Sequence, residues 1–313
     1  MPAPDHITQP DHAAIHYLRR REIDPTRWDH CIQNSQSPLI YGYANYLDAM
    51  TAGQWDALVL DDYAAVMPLT WRSKYGIRYL YQPAFTQQTG IFSQGHLPPA
   101  TLQTFLDQLN RHFRFAEIYL NYTNPHPSFT PRINYILSLN SSYDQLAAGY
   151  KKDLAKNLKA SRRTPLIYKQ EYDLTTALRD FHQEYATRLP AIKESDFRNF
   201  ETLCRELQKK DQLLTRAVCN ESQQTLCSAV FLKDTHRFYL IHSTTLPAGR
   251  STEANHYLLD QFIREWAGSP MILDFEGSDH PGIAHFYANF GALDQPYFFY
   301  RQNRLPWPIR RLK

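Results

Sequence analysis

A chain of 313 residues exceeds the usual single-domain size, and its 43% hydrophobic content can fill two ordinary cores, so two domains of about 150 residues are expected. Lys plus Arg number 34 against 31 acidic residues, and a net charge of +3 is too small to mark nucleic-acid binding by itself, so any basic footprint must be local. Cys31, Cys204, Cys219 and Cys227 form no C-x-x-C pair and have no His cluster at metal-ligand spacing, which predicts buried reduced thiols and no metal centre. The N-terminus has no apolar signal region, and no run approaches the roughly 18 to 20 apolar residues of a membrane span; the expectation is a soluble cytoplasmic protein.

In chain order, a strand is expected around Ile15 to Leu18, then a helix opened by Asp24-Pro25, an N-cap followed by proline at the first helical position. A short helix over Tyr43 to Met50 precedes two β-like runs, Trp55 to Leu60 and Ala64 to Leu69, joined as a hairpin by Asp61-Asp62-Tyr63. An aromatic, Gln-rich segment from Tyr79 to Phe92 leads to a helix over Ala100 to Phe113 and a strand over Ala116 to Asn121. The segment Asn124 to Pro131 carries three prolines in eight residues, which prevent helix and disfavour a central strand, so the domain boundary is placed there: residues 1–131 and 132–313.

The second half reads as a strand at Ile133 to Leu139, a long helix from Tyr143 to Arg163, and helices at Leu178 to Arg188 and Phe197 to Lys209. Three β-like runs follow, Leu213 to Val218, Thr225 to Leu232 and Phe238 to Ser243, then a helix from Thr252 to Trp266 with an apolar face of Leu258, Leu259, Phe262, Ile263 and Trp266. A strand at Met271 to Phe275 runs into Asp274 and Glu276, a glycine turn, a helix bearing Phe286 and Tyr287 and closed by Gly291, and a last strand at Tyr297 to Tyr300. Both halves thus run helices, antiparallel strands, helix, strand, as a structural duplication would.

The richest stretch chemically is Met271 to Ala292. Carboxylates at a strand end and a phenol on the next helix can supply a general base and a general acid, the two groups that acyl transfer to an amine requires. Asp274 and Ser278 can equally cap the turn and the next helix, and Tyr287 can equally be packing. Leu246 to Thr252 joins a strand to a helix N-terminus, where free N–H groups favour an anion.

Strand, Gly-bearing loop, helix, strand, then Phe286-Tyr-Ala-Asn-Phe-Gly291 resembles the core of the GNAT acyltransferases, and Asp274-Phe-Glu-Gly277 with Gly282-Ile-Ala284 is closest to their Fem-like branch. The likeness is specific over about residues 225 to 300; in the first half it is element order plus Tyr81-Gln-Pro-Ala-Phe-Thr-Gln-Gln-Thr-Gly90. It implies an α/β fold of two tandem GNAT-like domains with mixed, mostly antiparallel sheets, an acceptor site between them, and an N-acyltransferase acting on an amine of a small molecule or peptide. Tyr287 is then the acid and Glu276 or Asp274 the base, with an oxyanion donor from a backbone N–H at a splayed strand.

Gly249, Arg250 and Ser251, with Asn255 in the first helical turn, become the carrier-binding element. Two departures divide the donor between an acyl thioester, on coenzyme A or a carrier protein, and aminoacyl-tRNA. Leu246 and Ser251 stand where coenzyme A-dependent members have Gln or Arg and a small residue, and Tyr287 stands where Fem-type enzymes have lysine. No tightly bound cofactor is implied.

Two further features have ligand readings. Lys151 to Arg163 has six basic residues and one acidic, with Lys152, Lys156, Lys159 and Arg163 on one side opposite Leu154 and Leu158; such a stripe is a solvated face or a contact for tRNA, a phospholipid surface or an acidic sugar nucleotide. Tyr81, Gln82 and Gln87 in the aromatic loop suit a polar organic substrate, since rings exclude water while amides fix orientation, although interdomain packing explains them equally. The alternatives to an enzyme are a binding protein that retains the tandem fold and an RNA-binding module built on the basic helix.

Overall fold

The computed structural model describes residues 14–186, 191–277, 279–307 and 310. The first half comprises β1 (Ile15–Arg19), α1 (Pro25–Gln33), α2 (Ala44–Thr51), β2 (Trp55–Leu60) and β3 (Ala65–Lys74). It continues with β4 (Ile77–Tyr81), β5 (Phe92–Ser93), α3 (Pro99–His112), β6 (Phe115–Leu120) and β7 (Thr130–Arg132). Asp24 caps α1 as its sequence predicts, accepting from the Thr26 and Arg27 amides.

The second half contains β8 (Tyr135–Ser138), α4 (Tyr143–Ala148), α5 (Lys152–Ser161), β9 (Ile167–Lys169), α6 (Leu174–Tyr185) and α7 (Glu194–Lys209). Three long strands follow, β10 (Leu213–Cys219), β11 (Thr225–Lys233) and β12 (Arg237–Thr245), and then α8 (Ala254–Trp266). The chain closes with β13 (Ile272–Asp274), α9 (Pro281–Ala288), β14 (Leu293–Asp294) and β15 (Tyr297–Asn303).

The strands form two mixed, mostly antiparallel sheets. The first has the order β1-β2-β3-β4-β6-β15-β7, with β5 beside β3; the second has the order β14-β8-β13-β12-β11-β10-β9. Each contains one parallel pair, β4 with β6 and β12 with β13. The proline-rich segment does hold a strand, but β7 is the edge of its sheet, where a missing N–H costs least. β15 crosses back to pair with β6 and β7, so the chain's last strand completes the first sheet rather than the second.

The helix expected from Tyr143 to Arg163 is two helices. The chain turns at Gly149 to Lys151, where the Lys151 amide donates to the Asn289 carbonyl at 2.9 Å and the Gly149 carbonyl packs against Gly291. Arg163 therefore lies beyond α5, while Lys152, Lys156 and Lys159 stand exposed opposite buried Leu154 and Leu158. The helix expected from Leu178 begins at Leu174, capped by Asp173, and the expectation's last residues, 187 and 188, lie outside the described ones.

One core cluster joins the halves, with Trp28 and Ile32 of α1, Tyr46 of α2 and Val59 and Val66 of the first sheet meeting Ala177 of α6, Phe200 of α7 and Val230 and Tyr239 of the second. Behind the second sheet, α8 buries Leu258, Leu259, Phe262 and Ile263 completely, each worth about 1.5–3 kcal/mol. Among the described residues no helix is long and apolar enough to cross a membrane.

Candidate functional site

The second sheet opens where its parallel pair ends. β12 and β13 are in register only from Arg237 opposite Ile272 to Tyr239 opposite Asp274; β13 then stops while β12 continues to Thr245. Just past that point β12 bulges, since Leu240 pairs with Phe231 and His242 with Val230, leaving Ile241 the extra residue. The departing chain, Phe275 to Gly277, and the bulge bound the mouth of a split sheet.

Asp274 ends β13 wholly buried and is committed to structure. Its carboxylate forms a 2.5 Å ion pair with Arg237 and accepts the Glu276 amide at 2.9 Å. That turn holds Glu276 at φ +58°, a left-handed conformation unusual outside glycine and costly enough to persist only where surroundings fix it. Gly277 follows because any Cβ there would collide with the Ile133 carbonyl.

The Glu276 carboxyl is a different object from that of Asp274. Its Oε1 is shielded from solvent and finds no hydrogen-bond partner among the described residues, and this desolvation holds its pKa well above the ordinary 4.5. Of the two carboxyls proposed as base, Glu276 is the one left uncommitted.

Tyr287 projects from α9, whose N-terminus is capped by His280 with Pro281 at the first helical position. Ser278, the cap expected from sequence, lies outside the described residues. The Tyr287 ring stacks on Phe275 with centroids 5.0 Å apart, which sets it beside the turn. Burial first, then the Glu276 charge and Tyr185 on α6, push its phenol above the usual 10, so it is protonated at neutral pH.

A cavity of about 210 Å³ lies at this opening, lined by Glu276, Ile241, Phe85, Thr86 and Gln87. Its far wall thus comes from the aromatic, Gln-rich loop of the first half. Phe85, at φ +54°, stacks on Phe200 of α7 at 4.2 Å and meets Phe181 and Phe197 edge-on, anchoring the loop across the interface.

Of the three substrate residues expected in this loop, only Gln87 reaches the cavity, its amide donating to Asn134 at 3.1 Å. Gln82 spends its amide within the first half, donating to the Thr86 carbonyl and accepting from the Tyr119 amide. Tyr81 ends β4 under the Arg72 guanidinium, 4.1 Å from its ring centroid. Sequence reasoning did not single out Thr86, Ile241 or Arg237, for no spacing rule pairs a bulge residue or a strand-start arginine with a turn 35 or more residues away.

The loop before α8 is tightly packed. Gly249 sits against the Leu226 carbonyl so closely that a Cβ would collide, Arg250 pairs with Glu184 of α6 at 2.8 Å, and Asn255 accepts from the Ser243 hydroxyl at 2.5 Å. Ser251 is exposed in the turn. Glu253, in the left-handed region, occupies the N-cap of α8 and pairs with His256 at 2.8 Å, so this helix end already faces a carboxylate. Beside the loop a cleft of about 520 Å³ is lined by Leu246, Pro247 and Ala248 together with Thr225, Tyr172 and Asp180. Among the described residues no group of three or more His, Cys, Asp or Glu is placed to hold a metal ion, and all four cysteines are free and buried.

No family model and no curated protein matches this sequence. Solved structures do match its shape. FemX superposes with a TM-score of 0.62 at 11% identity, over 95% of this chain and 99% of that one. A conserved protein of unknown function from Bacteroides thetaiotaomicron gives 0.53 at 9%, over 91% and 99%, and L-PGS from Bacillus licheniformis gives 0.51 at 10%, over 92% and 95%. At such identities the likeness is one of fold alone: two mixed, mostly antiparallel sheets, each flanked by helices, the arrangement expected of tandem GNAT-like α/β domains.

Proposed function

We propose that this chain is an N-acyltransferase that moves an acyl or aminoacyl group from an activated carrier to a primary amine in the cavity between its halves. The observation that carries the reading is an uncommitted, desolvated carboxyl, Glu276, lining the cavity, with the protonated phenol of Tyr287 near enough to feel its charge. Glu276, once ionised, removes the ammonium proton, the freed amine attacks the carbonyl, and Tyr287 protonates the departing thiolate or alkoxide. Asp274 supports this by fixing the turn that presents Glu276. Gln87 and Thr86 orient the acceptor, while Tyr81 and Gln82 hold their loop in place.

The donor enters past Gly249, Arg250, Ser251 and Asn255. Acetyl coenzyme A, an acyl carrier protein and aminoacyl-tRNA are the candidates, and the exposed lysines of α5 favour the last through phosphate contacts. Assaying each donor against a panel of small amines and amino-terminal peptides, with product masses as readout, tests the reading; no amide product with any donor would reject it.

One observation favours a second reading. The Arg250 guanidinium is already paired with Glu184 at 2.8 Å, so the loop's arginine is engaged before any donor phosphate arrives. In that reading the chain binds a ligand and does no chemistry. Calorimetry separates the two, because tight binding of a peptide or sugar nucleotide without donor binding belongs to the second alone.

A further inference from the structure

Buried polar side chains are almost always hydrogen-bonded, and exceptions call for an explanation. Three exceptions lie side by side under α6. His242 is 5% exposed with both ring nitrogens unpartnered among the described residues, and Thr244 and Ser228 are fully buried with unpartnered hydroxyls. They share one sheet face: His242 and Thr244 are two apart on β12, and Ser228 of β11 is in register with Thr244. Phe181 of α6 stacks on the imidazole at 4.1 Å and covers it.

Residues flanking the row on β12 and just past it line two cavities. Ile241, adjacent to His242, lines the Glu276 cavity, and Leu246, two residues past Thr244, lines the cleft that holds Thr225, Tyr172 and Asp180. Glu276 lines the same cavity as Ile241 and carries a further unpartnered atom, its Oε1. Burial alone pulls the imidazole pKa down to about 3, so the ring is neutral, and a neutral imidazole accepts at one nitrogen while donating from the other.

We propose that His242, Thr244 and Ser228 form a proton-conducting seam, bridged by water, that carries the proton collected at Glu276 out to the cleft beside Leu246. This rests on the acyl-transfer reading. An ammonium acceptor and a thioester or ester donor yield an amide, a thiol or alcohol and one proton, and the seam removes that proton. The N–H bond of the ammonium breaks as the Glu276 carboxylate takes its proton. The carboxylic acid then passes a proton to one ring nitrogen as the other releases its own toward the hydroxyls. The imidazole ends as its other tautomer with its charge unchanged, and each hydroxyl accepts one proton and donates one. His242 is thus a positioning and relay residue that does not touch substrate.

A side chain kept polar for relay burdens the fold, which gives a test that ordinary packing does not pass. Thr244→Val and Ser228→Ala, which keep shape, and His242→Phe are measured by thermal unfolding and by steady-state turnover in H2O and D2O. The seam predicts a melting temperature unchanged or raised by about 2–4 °C, with kcat lowered roughly tenfold or more and an enlarged solvent isotope effect. Variants that turn over at the wild-type rate overturn the seam, as do variants that lose stability and activity together without a change in isotope effect. Wild-type protein inactive with every donor would instead sink the acyl-transfer reading on which the seam rests.

Discussion

Arg237 and Asp274 meet at 2.5 Å with side chains only 5% and 1% exposed, linking the start of β12 to the end of β13, where the second sheet divides. The Arg237 guanidinium also reaches the Gln295 amide oxygen at 3.1 Å, tying the start of β12 to the segment that leads into β15. Removing one partner of such a pair strands a buried charge. Arg237→Ala is therefore expected to cost about 3–5 kcal/mol in denaturant unfolding. Asp274→Asn retains an acceptor for the Glu276 amide but strands the Arg237 charge, so a cost of the same order is expected. A cost below about 1 kcal/mol for Arg237→Ala would show the pair to be unimportant.

Glu276 has the opposite character, and pH exposes it. Its folded pKa is raised above the unfolded 4.5, so the folded state binds the proton more tightly. Its contribution to stability is fully present below about pH 4.5 and is lost as pH rises through the folded value. Glu276→Gln should therefore flatten the fall in stability above that pH, measured as unfolding midpoints across pH. The same variant should lower turnover by roughly 10² to 10⁴-fold, the range for a general base. Wild-type kcat/KM should climb with pH as the carboxyl ionises, and a profile flat across the neutral range excludes this base.

The strand, turn and helix from Met271 to Gly291 are legible in sequence because each carries a local signal: an apolar run, a glycine, then proline at a helix start. What makes Glu276 special is not local. It shares its cavity with Phe85, Thr86 and Gln87, about 190 positions earlier, and the glycine after it is required by the Ile133 carbonyl, more than 140 positions earlier. The break between α4 and α5 likewise follows from contacts with Asn289 and Gly291, although Gly149 marks the place. β15 reads correctly as a strand, but no periodicity says which sheet receives it.

Tyr287→Phe keeps the ring on Phe275 and deletes only the hydroxyl. Turnover is expected to fall by roughly 10² to 10⁴-fold with the melting temperature within a few degrees of wild type. A leaving group of low pKa needs less protonation, so an activated aryl ester should restore much of the lost rate. Unchanged turnover with the natural class of donor, or no rescue by the aryl ester, rejects the acid role.

Phe85 joins the two halves at the cavity wall, stacked on Phe200 and edge-on to Phe181 and Phe197 while its carbonyl accepts the Tyr46 hydroxyl. Because the ring is only partly buried, Phe85→Ala should cost about 1–3 kcal/mol, less than a full core truncation. The larger effect should fall on the acceptor. Without its anchor the loop no longer fixes Thr86 and Gln87 against Glu276, so KM for the amine is expected to rise while KM for the donor, proposed to bind past Gly249 to Asn255, stays near wild type. Phe85→Leu, which refills part of the ring's volume, should recover part of both losses. Equal rises in the two KM values would place Phe85 in general scaffolding instead of the acceptor wall.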